Sequence, residues 1–80
     1  MVIDVNRSHI KVELFGKTAT LPGEMFFPEG DKLGFALFRV QARYWDAPAD
    51  KEPITDAEFS SLVDDIRENF AKGGHILEVE

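Results

Sequence analysis

The segment ITDAEFSSLVDDIRENFAKGG, residues 54–74, is written as an amphipathic helix with both of its ends marked. Thr55 is placed to act as N-cap, and Glu58, three residues on, completes a capping box. Ile54 precedes the cap, where it can staple onto Phe59, and Asp56 puts a negative charge in the first turn, as the helix dipole favours. Phe59, Leu62, Val63, Ile66 and Phe70 fall on one stripe at 3.6 residues per turn. Gly73 and Gly74 stop the helix, with Gly73 expected at the left-handed position. A helix with a single apolar stripe needs an apolar layer to lie on.

The residues upstream supply that layer as strands. VIDV is short and extended, NRS breaks it, and HIKVELF alternates, with Ile10, Val12 and Leu14 on one face and His9, Lys11 and Glu13 on the other. FGK is a turn. TATLPGEMFF reads as a strand interrupted at Pro22-Gly23 by a bulge or an edge position, and PEGDKLG as the next turn. FALFRVQARYW, residues 35–45, reads as one strand crossing the whole sheet, with Ala36, Phe38, Val40, Ala42 and Tyr44 in an apolar row. HILEVE ends the chain as another strand. The expected fold is α+β, a four- to five-stranded, mainly antiparallel sheet with one helix packed on one face, in the order β-β-β-β-α-β.

Eighty residues are enough for one core and too few for two, so a single domain over 1–80 is expected. Hydrophobic residues at 44% and seven Phe give that core its material and exclude a disordered chain. With no cysteine, neither a disulfide nor a thiolate metal site can form. The start, MVIDVNRSHIKV, carries charge too early for a signal peptide, and no apolar run is long enough to span a membrane. The expected location is the cytoplasm.

The net charge of −6 divides sharply. Residues 1–45 hold six Lys/Arg and five Asp/Glu, whereas residues 46–80 hold three and ten, so the halves carry +1 and −7. An acidic surface repels nucleic acid, whose binding depends on Lys and Arg. It steers a basic protein partner, or it simply keeps a small domain soluble.

Motifs of catalysis are missing. His9 sits on the polar side of a strand, and His75 just past the helix end, where an imidazolium would favour the dipole. Neither belongs to a metal-ligand spacing, and no nucleophile elbow, P-loop or dinucleotide fingerprint occurs. No catalytic residue, metal or cofactor is expected, and the phenylalanines of GFALFRV read as core rather than as a base-stacking platform.

The candidate partner-binding residues are Trp45, Asp46, Asp50, Glu52 and Asp56 in the approach to the helix, and Asp64, Asp65 and Glu68 on it. Asp64 and Glu68, four residues apart, face away from the apolar stripe and repel each other. Trp45 has two readings, an interface anchor beside Arg39 and Arg43, or a lid on the core with its indole N–H bonded to the loop.

In order, VNRSHIKVE, LPGEMFF, a strand ending RYWDAPADKEPIT, the helix DAEFSSLVDDIRENF and a terminal GGHILEVE resemble the immunity protein seventy-four family of small bacterial proteins encoded beside polymorphic toxins. The closest segment is Trp45-Asp46 followed by Pro48, Pro53 and the helix with Glu58. The resemblance implies a cytoplasmic, non-enzymatic protein that binds and neutralises a cognate toxin, a class that includes nucleases. A reading of another class is a structural or regulatory subunit that forms a homodimer through an exposed sheet edge, either HILEVE or the first strand.

Overall fold

The computed structural model describes residues 1–28, 30 and 32–80. Five strands, β1 (Val2–Val5), β2 (His9–Leu14), β3 (Lys17–Phe26), β4 (Gly34–Leu37) and β5 (Ile76–Val79), and the helix α1 (Asp56–Gly73) follow in the order β-β-β-β-α-β. The strands form one sheet in chain order. Neighbours are antiparallel except β4 and β5, which run parallel because α1 carries the chain back across the sheet. The turn expected over residues 28–34 includes positions outside the described set. No helix among the described residues is long and apolar enough to cross a membrane.

Strand alternation decides which face is covered. Ile10, Val12, Ala19, Leu21, Phe35 and Leu37 are buried in one cluster with Phe59, Leu62, Val63, Ile66 and Phe70 of α1. Burying a side chain of this size stabilises by about 1.5–3 kcal/mol, so the helix stripe and the strand face hold each other. The helix start is as the sequence implies: Thr55 Oγ1 accepts from the Glu58 N–H at 3.1 Å, and Glu58 Oε1 accepts from the Thr55 N–H at 3.0 Å. Ile54 and Phe59 both lie in the core.

Four local expectations are corrected. The long strand over residues 35–45 stops at Leu37, and a single 3-10 turn follows at Arg39–Gln41. Leu37 is the last residue of the ladder, paired with Gly23 in β3 and Val79 in β5; one further hydrogen bond follows on each side, from the Phe38 N–H to the Pro22 carbonyl and from the Arg39 N–H to the Glu80 carbonyl, before the chain turns. Val40 and Tyr44, expected in the apolar row, are therefore exposed. No interruption occurs at Pro22-Gly23. Instead β3 changes partner there, pairing with β2 up to Pro22 and with β4 from Gly23. A Cβ at Gly23 would lie 2.1 Å from the Ala36 carbonyl oxygen, so the close approach of β4 demands glycine. The bulge in the sheet lies in β1, between Val2 and Asp4. At the end of α1, Gly74 rather than Gly73 is left-handed, with φ 71°.

His75 is the fourth correction. Its Nδ1 accepts a hydrogen bond from the Leu33 N–H at 2.9 Å, so that nitrogen carries no proton. The ring meets Phe70 edge-on, with centroids 5.9 Å apart. It thus ties the entry of β4 to the start of β5 instead of serving the helix dipole. Replacing His75 by Ala strands the Leu33 N–H and is expected to cost about 1–3 kcal/mol. Urea unfolding measures this, and an unchanged midpoint would contradict the role.

Candidate functional site

The connection from β4 to α1 folds back on itself and is pinned to β3. Tyr44 faces Pro53 in an isolated antiparallel bridge. The Trp45 N–H donates to the Glu52 carbonyl and the Ile54 N–H to the Arg43 carbonyl, at 3.2 and 2.8 Å. Asp46 fastens this ribbon to the sheet: its N–H donates to the Thr18 carbonyl, and its carboxylate accepts from the Thr20 hydroxyl, both at 2.8 Å. The Ala47–Pro48 peptide within the ribbon is cis.

Of the two readings of Trp45, the structure takes the lid. The side chain is 2% exposed and belongs to the core, whereas Tyr44 is 56% exposed. Its indole nitrogen is buried without a hydrogen-bond partner among the described residues, so the expected bond to the loop is not made. Trp45 is therefore removed from the surface that a partner can touch.

Two cations consume much of the acid in the approach to the helix. Lys17 Nζ sits 4.8 Å from the centre of the Trp45 ring, 3.1 Å from Glu52 and 3.6 Å from Glu58. Arg39 lies over the Phe59 ring at 4.5 Å, donates to the Ala42 carbonyl at 3.0 Å, and pairs with Asp56 at 2.7 Å. Desolvated cation–π contacts of this kind contribute about 1–2 kcal/mol each. Asp65 is engaged too: its Oδ2, out of reach of water, faces the Met1 α-ammonium. That pair lies at an open cleft of about 210 Å³ lined also by Val2, Glu68, Asn69 and Lys72.

The eight candidates thus separate into three groups. Trp45 is core. Asp46, Glu52, Asp56 and Asp65 hold the molecule's own structure. Asp50, Asp64 and Glu68 are exposed and form no ion pair among the described residues. Sequence alone gave no sign of Lys17 and Arg39 as latches, since Lys17 reaches a partner 35 positions away. His9 is held by Asn6 at 3.0 Å with Asp4 at 3.9 Å, and no group of three His, Asp or Glu side chains suited to a metal gathers among the described residues.

The Glu58 carboxyl is held below its ordinary 4.5, first by the Thr55 backbone N–H that it accepts. Partial desolvation opposes this, while the Thr55 hydroxyl, Lys17 and, most weakly, the nearby Trp45 indole assist. A lowered carboxyl stabilises the fold above its unfolded value, and that contribution disappears as pH falls through the folded one. Glu58→Gln keeps a side chain able to cap but removes the charge. Between about pH 5 and pH 3 the wild-type Tm should therefore fall more steeply than that of E58Q; parallel curves would contradict the assignment.

Comparison with curated proteins and with solved structures returned no match. The family described as Immunity protein 74 matches residues 2–80, nearly the whole chain. The matched span includes every element of the sheet, the latched ribbon and the acidic helix. The chain belongs to the immunity protein 74 family.

Proposed function

We propose that this chain neutralises a cognate toxin domain by binding and occluding it, without chemistry of its own. The observation that carries the reading is the unpaired acid. Asp50, Asp64 and Glu68 remain exposed and form no ion pair among the described residues, while Glu52 and Glu58 share Lys17, Asp56 meets Arg39 and Asp65 meets the Met1 ammonium. Asp64 and Glu68 repel across one helical turn, at a cost of a few tenths of a kcal/mol. A basic partner surface removes that repulsion on contact.

The chemistry of such a partner follows from the charge. A toxin that binds nucleic acid, as a nuclease does, draws affinity for the phosphates from Lys and Arg, and a carboxylate-bearing helix competes for the same groups. Charge of this kind mainly raises the association rate and selects the partner. The helix face is rigid, so little ordering is needed when it docks.

The test uses the toxin domain encoded by the adjacent reading frame. Reversing both helix charges, Asp64→Lys with Glu68→Lys, is expected to slow association at low salt by about tenfold or more, with the difference shrinking toward 1 M salt. The Tm of the free protein should move little, because both side chains are solvated. An association rate that is unchanged, with the same salt dependence, would remove the electrostatic basis of the reading.

A further inference from the structure

The β2–β3 hairpin turns through two residues, Phe15 and Gly16, between the paired residues Leu14 and Lys17. Both lie in the left-handed region, at φ 56° and 71°. A two-residue turn of this hand matches the twist of the flanking strands and is ordinarily built from Asn-Gly or Asp-Gly. Phenylalanine is a poor choice there, because its Cβ crowds the backbone and its side chain cannot hydrogen-bond locally to compensate. Among the described residues, Phe15 is the one non-glycine with positive φ. It is also 60% exposed and is not among the side chains packed on the core. Local conformation and exposure both argue against this residue on grounds of stability alone.

We propose that Phe15 is the apolar anchor by which the chain holds its toxin partner, its ring entering an apolar pocket bordered by Lys or Arg. This rests on the toxin-binding reading above and deepens it. A large aromatic on a tight, strand-braced turn loses little freedom when it is buried, which is the property that makes a hot spot. Its surroundings specify the rim of the pocket. Glu13, two residues earlier, is exposed; the Met1 ammonium bonded to the Glu13 carbonyl is spent on Asp65, and Lys17, two residues after Phe15, on Glu52 and Glu58. What a partner meets around the ring is therefore anionic, and the complementary rim is cationic. The hairpin end is also where the acidic ribbon is fastened, through Asp46 to Thr18 and Thr20, so anchor and charge lie on joined segments. The acidic helix face acts on arrival; the Phe15 ring acts on departure.

Phe15→Asn tests this, because it gives the turn the residue it favours while deleting the ring. The Tm of the free protein should rise by about 3–6 °C. Affinity for the toxin domain of the adjacent reading frame should fall by at least about 30-fold, chiefly through faster dissociation. Phe15→Tyr should bind within about threefold of wild type, since the ring is kept. Tight binding by F15N, with wild-type dissociation, overturns the anchor and leaves the toxin-binding reading intact, whereas a wild-type protein that does not bind the toxin overturns both. A fall in Tm together with affinity also overturns the anchor, since the ring would then be holding its own turn. So does a sedimentation result in which wild type is a dimer and F15N a monomer, because the occupant would be a second copy of this chain.

Discussion

The ammonium of Lys17 joins three parts of the molecule that are distant in sequence. It begins β3, covers the face of the Trp45 indole, and pairs with Glu52 of the ribbon and Glu58 of the helix start. A Trp buried at the end of a sheet brings an apolar body and a polar edge into the same place. The cation satisfies the ring's negative face, and the ribbon closes over the rest. With the ribbon fixed, Ile54 and Thr55 have one place to go, and the helix leaves from there with its stripe already aimed at β2, β3 and β4. Arg39 repeats the device on the neighbouring side, over Phe59 and against Asp56. Loss of the Lys17 contact would therefore loosen the helix start and the ribbon together.

This arrangement sorts the acid of the second half. Carboxylates near the joint are neutralised by cations from the first half, which is where the sequence keeps its excess of Lys and Arg. The acids of the solvent-facing helix, Asp64 and Glu68, form no ion pair among the described residues, although Arg67 and Lys72 lie on the same helix. A net charge of −6 is thus spread unevenly over the surface, and the unmatched part sits on the outer face of α1 and, at Asp50, on the ribbon. Surface ion pairs contribute little to stability, so the value of the matched pairs lies in fixing geometry. The unmatched acids have no structural role of that kind, which makes a role toward a partner the economical explanation.

Features set by neighbouring residues were legible in the sequence, and features set by distant ones were not. The capping box and the apolar stripe depend on spacings of three and four positions, so α1 reads directly from the chain. The alternation of β2 likewise follows from a period of two. The end of β4 does not, because no local signal in FALFRVQARYW marks where pairing with β3 and β5 gives way to the 3-10 turn at Arg39–Gln41. Once the 3-10 turn at Arg39–Gln41 intervenes, the parity of the strand is lost, and with it any way of telling that Tyr44 faces out and Trp45 in. The unpaired members of the acidic set could be told from the paired ones only after Lys17 and Arg39 had been placed. Phe15 is different: a Phe-Gly turn between alternating runs is visible in the letters, and its oddity lies in the absence of Asn or Asp.

The proposed function is inhibition by contact, in which one molecule of this chain would silence one toxin molecule and be consumed in doing so. Titrating the activity of the adjacent-frame toxin with increasing amounts of this protein measures that property directly. Activity should fall in proportion to the amount added, reach its floor at one molecule per toxin, and return when the complex is separated in denaturant and the toxin refolded alone. Loss of all activity at a small fraction of an equivalent, with no recovery after separation, would show that the chain modifies its target catalytically and would contradict occlusion.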